Sequence, residues 1–244
     1  MTWSNRLRLF IGFIVVVAIA LGATLILSQR ETEVASRSAS IHAVSYSVGS
    51  DYAGTIVDQK VNDGDTVKKG QSLMTIQSAS LLADLNSKTS VPTSTAYTTS
   101  PDGTLTLIAT QPGVVSQVGA HTGGFVSAGS SLATIDREGS LYVLADFRLD
   151  PYDFSRIHKG ALVDLSLPNQ ERLTGAVSRI SVKTTAAGQA DASIEVRSTQ
   201  LEQGTYDGLV APGTPVGATL HLRDNGPLAG LKESFVALLK QMGL

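Results

Sequence analysis

The hydrophobic pattern of this chain changes character along its length. Residues 9–27 form nineteen consecutive positions without a charged side chain. At 1.5 Å per residue such a run spans about 28 Å as a helix, close to the hydrocarbon thickness of a bilayer. Beyond it, apolar positions come in short alternating runs punctuated by Gly, Pro and Asn-Asp, the pattern of half-buried strands. Val44, Tyr46 and Val48 alternate with Ser45 and Ser47, and Val163 and Leu165 with Asp164 and Ser166. Near the end, Leu228, Leu231, Phe235, Leu238, Leu239 and Met242 recur at helical spacing behind Pro227, which suits a first helical turn.

The first run reads as a membrane anchor, with Leu9, Phe13, Val17, Leu21 and Leu27 along it. Trp3, Arg6 and Arg8 precede it, where interfacial anchors belong, and hold a short tail (residues 1–8) in the cytoplasm. A cleaved secretory signal has a shorter apolar core and ends at a small-x-small site. Here the run leads into Ser28-Gln29-Arg30-Glu31 instead. The expectation is a single-pass protein of the cytoplasmic membrane with the bulk of the chain outside the cytoplasm.

The central segment contains an internal repeat at an offset of 59 residues. Residues 54–76 align without a gap on residues 113–135, with eight of 23 positions identical. The glycine pairs are Gly54/Gly113, Gly64/Gly123 and Gly70/Gly129, read as structural turn glycines. Val67/Val126, Ser72/Ser131, Leu73/Leu132, Thr75/Thr134 and Ile76/Ile135 keep the apolar positions in step. In each copy, short strands carrying Ile56, Val61 and Val67 alternate with turns that tolerate φ > 0. One copy cannot bury its apolar side alone, so the two are expected to face each other as a small sandwich.

Composition narrows the function. Charged residues are 16% of the 244, against about 25% in a typical soluble domain. Beyond Leu27, 17 basic residues face 21 acidic ones, so a nucleic-acid partner is not expected. Cysteine is absent, which removes disulfides, thiolate metal sites and a cysteine nucleophile. The four histidines, His42, His121, His158 and His221, lie far apart. The chain has no zincin, nucleophile-elbow, phosphate-loop or dinucleotide-binding motif. No catalytic residue, cofactor or metal is expected, and the protein reads as a non-enzyme.

With these residues in view, the chain resembles the membrane fusion proteins of the HlyD type, the adaptor subunits of bacterial export pumps. Gly54-Thr-Ile-Val with the Gly-Asp-x-Val-Lys-Lys-Gly-Gln-x-Leu-x-x-Ile ending at Ile76 is similar to the first half of a biotinyl/lipoyl-type domain. Pro112-Gly-Val-Val with Gly124-Phe-Val-x-x-Gly-x-x-Leu-x-x-Ile135 is similar to the second. The anchor ahead and Leu141-Tyr-Val-Leu-Ala-Asp-Phe147 behind point to the adaptor branch. A covalently loaded carrier would need a lysine at the turn between the halves, and none occurs between Lys69 and Lys88.

The resemblance implies a mainly β fold: a lipoyl-like barrel-sandwich hybrid inserted into a small β-barrel, with an N-terminal transmembrane helix and a short C-terminal helix. The expected boundaries are a linker at 28–40, the barrel at 41–49 and 140–224, the sandwich at 50–77 and 104–139, and an amphipathic helix at 225–244. Ile41 to Val48 is expected to supply the barrel's first strand. Adaptors usually join the two half-motifs by a long helical hairpin. Here residues 78–103 hold two helical turns at most, and nine of the fifteen residues from Asn86 to Ser100 are Ser or Thr. That composition favours an exposed loop, either a relic of the hairpin or a contact loop for peptide or cell wall.

The resemblance also implies a homo-oligomeric ring on a transporter permease of ABC type, working by assembly and not by chemistry. Candidate partner contacts are the His158-Lys159 turn and the C-terminal face with Leu231, Phe235 and Leu238. That helix either caps the barrel or meets membrane or transporter. The competing reading is a membrane-anchored cell-envelope binding or scaffold module.

Overall fold

The computed structural model describes residues 33–87, 94–184 and 190–223. Among them the chain forms β1 (Glu33–Ala35), β2 (Ser38–His42), β3 (Ser45–Gly49), β4 (Gly54–Gln59), β5 (Thr66–Val67) and β6 (Ser72–Gln77). Helix α1 (Ala79–Asn86) follows, then β7 (Tyr97–Thr99), β8 (Thr104–Ile108), β9 (Gly113–Val118), β10 (Phe125–Val126) and β11 (Ser131–Arg137). The remainder is β12 (Tyr142–Leu149), α2 (Pro151–Phe154), β13 (Leu162–Ser166), β14 (Arg172–Thr184), β15 (Ala190–Arg197) and β16 (Gly217–His221). The fold is mainly β, and the chain divides into two units: His42–Leu141 with Glu202–Pro212 forms one, and the flanking segments form the other.

The first unit is a sandwich built on the repeat. One sheet has the strand order β10-β4-β6-β8-β7, the other β3-β11-β9-β5. At the 59-residue offset β4, β5 and β6 correspond to β9, β10 and β11, and β3 corresponds to β8. Each repeat keeps its central pair, β4–β6 or β9–β11. Each donates its two flanking strands to the other repeat's sheet, so β5 pairs β9, β10 pairs β4, β8 pairs β6 and β3 pairs β11. Two-residue strands such as β5 have too few hydrogen bonds to stand alone, and the exchange seats them. Val48, Ile56, Val67, Leu73 and Ile76 from one repeat pack with Leu107, Val115, Val126, Leu132 and Ile135 from the other in one core.

Three expectations are corrected here. The alternating run ending at Val48 splits: β2 belongs to the barrel sheet, whereas β3, carrying Tyr46 and Val48, pairs β11 in the sandwich. Val61 lies beyond β4 in a loop, still buried in the core. The Ser/Thr-rich segment is not loop throughout, because β7 pairs β8 and buries Tyr97. Helix α1 has eight residues, capped by the Ser78 side chain, which accepts from the Leu81 amide.

The second unit is a barrel whose sheet runs β1-β16-β13-β14-β15-β12-β2. Its two ends, β1 and β2, are consecutive pieces of one segment. Ser40 bridges Pro215, the Ile41 amide donates to Thr214 O at 3.0 Å, and that of Val216 to Ala39 O at 2.9 Å. The segment thereby closes the sheet on itself and removes the open edges. Residues 33–40, expected as linker, supply β1 and the start of β2. Inward positions alternate as the pattern requires, with Val143, Phe147, Val163, Leu165, Ile194, Val196 and Leu220 buried.

Candidate functional site

The glycines of the repeat serve two purposes. Gly64, Gly70, Gly123 and Gly129 have φ of +89°, +82°, +85° and +81°, a region that L side chains disfavour. Gly54 and Gly113 are not turn residues; they open β4 and β9. A Cβ on Gly54 would lie 2.3 Å from Gln77 O, and one on Gly113 2.2 Å from Asp136 O. Close strand approach, not positive φ, selects glycine there.

The outer surfaces of the two sheets differ chemically although their backbones correspond. On β10 and β4, Phe125 is 72% exposed and Val57 50%. Phe125 sits opposite Thr55, and Val57 is the bulge residue between Ile56 and Asp58. The corresponding positions on the other sheet are Thr66 and Ser116, both exposed, with Ser116 again at a bulge. Since the same geometry is met by polar residues there, the fold does not require an apolar pair at 57 and 125.

Polar groups in the sandwich lock its loops. The Tyr97 hydroxyl donates to Asp51 Oδ2 at 2.9 Å. Burial and then this bond push its pKa up to about 12. Burial raises the pKa of Tyr52 too, with Asp84 adding to it. His121 lies in a loop with Nδ1 3.1 Å from Gln59 Oε1, and Lys68 and Lys69 are exposed.

The barrel carries ion pairs on its outer face. Burial of Glu195 favours its neutral form, but bonds from Arg197 and Ser178, with the Arg197 and Arg179 charges, outweigh it and lower the pKa. Arg197 Nε is 3.0 Å from Glu195 Oε1. Asp191 Oδ1 is buried without a hydrogen bond; Arg148 at 3.5 Å and Arg37 at 3.9 Å neutralise it. Beside it a cavity of about 370 Å³ is lined by Arg37, Ser38, Asp146, Phe147, Asp191 and Ser193. Within this set the Ser38 hydroxyl donates to Asp146 Oδ2 at 3.3 Å. Among the described residues, no three of His, Cys, Asp and Glu gather to hold a metal ion.

At one barrel end, His221 Nε2 lies 2.9 Å from Asp164 Oδ2 and Nδ1 lies 3.9 Å from Glu33 Oε1. Buried Arg156 donates from Nε to Arg223 O at 2.8 Å, approaches Asp153 at 3.3 Å and lies over the Tyr152 ring. His158 and Lys159 are exposed in the turn before β13. The anchor positions Leu9, Phe13, Val17, Leu21 and Leu27 lie outside the described residues, as do Leu231, Phe235 and Leu238. Among the described residues no helix is long and apolar enough to cross a membrane.

Sequence reading missed β3 and β8 as members of the repeat. Their aligned positions, Ser45 to Gly49 against Thr104 to Ile108, share no identical residue. The signal available was a shared alternation, Tyr46 and Val48 matching Leu105 and Leu107.

Neither a protein-family model nor a curated protein sequence matches the chain. Solved structures share its fold. ZneB from Cupriavidus metallidurans superposes with a TM-score of 0.60 at 19% identity, over 79% of this chain and 99% of that one. MacA from Actinobacillus actinomycetemcomitans gives 0.58 at 12% identity, over 79% of each chain. The periplasmic adaptor protein EmrA gives 0.50 at 10% identity, over 79% of this chain and 99% of that one. The fold is that of the membrane fusion proteins, or periplasmic adaptors.

Proposed function

We propose that this protein is a membrane-anchored, extracytoplasmic adaptor subunit of an export transporter of ABC type, acting by assembly and without chemistry of its own. The observation that carries the reading is the strand-exchanged sandwich inserted in the chain of a closed barrel, the architecture shared with the periplasmic adaptor EmrA. Residues 9–27 anchor it, and the body lies outside the cytoplasmic membrane. Copies assemble as a ring, and the exposed Phe125 and Val57 are the sandwich's contribution to the contact between them. An apolar patch on one half of a pseudo-symmetric unit favours a head-to-tail contact, which closes into a ring when the rotation allows. The eight-residue α1 replaces the long hairpin of other adaptors, which favours an envelope in which no outer-membrane duct is reached.

Extraction of the full chain in mild detergent, followed by identification of co-purifying proteins, tests the reading. Recovery of a permease with its ATPase is expected. Retention on purified peptidoglycan with no transporter recovered would replace the adaptor by an envelope-binding scaffold.

A further inference from the structure

One end of the barrel gathers the first and last described residues and an exposed apolar pair. Glu33 is registered opposite His221, so β1 starts where β16 finishes. Val163 is opposite Leu220, which places Leu162 at that same end. The His158-Lys159-Gly160 turn leads into β13 there, the Ala161 amide donating to His158 O. Arg223, two residues past β16, exchanges bonds with Arg156, its amide donating to Arg156 O at 3.3 Å and its carbonyl accepting from Arg156 Nε at 2.8 Å. The Arg156 guanidinium stands 5.4 Å from the Tyr152 ring centre. At this end Tyr152 is 65% exposed and Leu162 58%.

Leu162 breaks the chemistry of its own row. The other outward positions of β13 are Asp164 and Ser166, so neither the barrel nor its alternation calls for leucine there. Of the carboxylates at this end, Asp164 and Glu33 approach His221 and Asp153 approaches Arg156, while Asp150 is exposed and its side chain caps nothing. Beside these carboxylates, an aromatic with a hydroxyl, a leucine, and the exposed His158 and Lys159 face outward. That is the composition of a bilayer interface, where amphipathic rings sit at headgroup level and basic side chains meet phosphates.

The point where the chain enters the barrel points to the occupant. Six residue steps separate Leu27 from Glu33, which reach at most about 22 Å when fully extended. The opposite end, at the turn that precedes β14, is farther from Glu33 by the length of β13, about 17 Å for five residues, so resting that end on the membrane would need the linker drawn nearly straight. We propose that this barrel end rests on the lipid surface, with Tyr152 and Leu162 in the interfacial layer and Lys159 against lipid phosphates. The inference depends on residues 9–27 being the anchor.

The chain lacks cysteine, so single labels are clean. Val17→Cys, Tyr152→Cys, Leu162→Cys, Lys159→Cys and Glu171→Cys are each spin-labelled in the full chain and reconstituted into phosphatidylcholine vesicles containing phosphatidylglycerol. Collision with oxygen, which partitions into lipid, is compared with collision with a water-soluble nickel chelate. The oxygen-to-nickel ratio at 152 and 162 is expected to exceed that at 171 several-fold, with 159 intermediate. Ratios at 152 and 162 equal to that at 171, with 17 reporting lipid, overturn the proposal and leave the anchor standing. Shielding of 152 and 162 from both reagents overturns it in favour of cover by protein. A water-like ratio at 17 removes the anchor and the proposal together.

Discussion

The amide of Gly64 donates to the carbonyl of Val115 at 2.8 Å, and at the 59-residue offset the amide of Gly123 donates to that of Ile56 at 2.8 Å. The correspondence extends to the next bonds: Val115 N to Asp65 O and Ile56 N to Gly124 O, both 2.9 Å. Gly70 N to Ala109 O at 2.7 Å matches Gly129 N to Ser50 O at 2.8 Å. Every one of these bonds joins the two repeats. The turns of one copy thus hold the strands of the other, and neither copy has a complete sheet without its partner.

This reciprocity makes the glycines separable by experiment. Gly54→Ala and Gly113→Ala each drive a methyl into a backbone carbonyl and should each cost about 2–4 kcal/mol. Gly70→Ala meets open space and should lose only about 1 kcal/mol through its positive φ. Urea midpoints of the three variants decide. Equal losses at all three would show that close approach is not what selects glycine at 54 and 113.

Phe125→Asp tests the ring contact. The side chain is largely exposed, so the fold should persist while the assembly falls to smaller species by native mass spectrometry. Thr66→Asp, at the corresponding position of the other sheet, is the control and should leave the assembly intact. Unchanged assembly in both variants would exclude this sheet face from the contact.

Tyr97 sets an alkaline limit on the sandwich. Below pH 10 its hydroxyl is protonated both folded and unfolded, and its contribution is fully present. Between pH 10 and about 12 the unfolded chain ionises first, so stability falls as pH rises. Tyr97→Phe should lose about 1 kcal/mol at pH 8, where the bond to Asp51 is made, yet lose less on going to pH 11 than the parent. Absorbance at 295 nm and urea midpoints at the two pH values measure both effects.

Glu195 acts with the opposite sign in the barrel. Its pKa is lowered in the folded state, so its contribution is present at neutral pH and lost as pH falls through that lowered value. Glu195→Gln should cost about 1 kcal/mol at pH 7 and make stability less dependent on pH below 5. Acid titration of the melting temperature checks this.

The turns and strand alternation were legible in the sequence because they depend on nearest neighbours. Asn62-Asp63-Gly64 and Lys68-Lys69-Gly70 mark left-handed positions through glycine itself, and Val163 and Leu165 mark an inward face through period two. Much of the repeat was visible because the strands β4 to β6 and β9 to β11 keep identical residues. Of the barrel end, the sequence singled out only the His158-Lys159 turn. Tyr152, Leu162 and Arg223 lie as much as 71 residues apart in the sequence, and only the register of β1, β13 and β16 brings them to one end.

By itself the sequence determined the turns at Gly64, Gly70, Gly123 and Gly129, the buried side of strands such as β13, and that two copies of one motif are present. Tertiary structure alone decided which edges meet. The alternation of Ser45 to Val48 suits either unit equally, since period two names a buried face but no partner. Pairing with β11 settles it, giving that strand a hydrogen-bonded neighbour on both sides. Likewise β1 reads as polar linker on its own. It becomes a strand because the unpaired backbone groups of β16 and β12 need the segment of residues 33–42 to close the barrel.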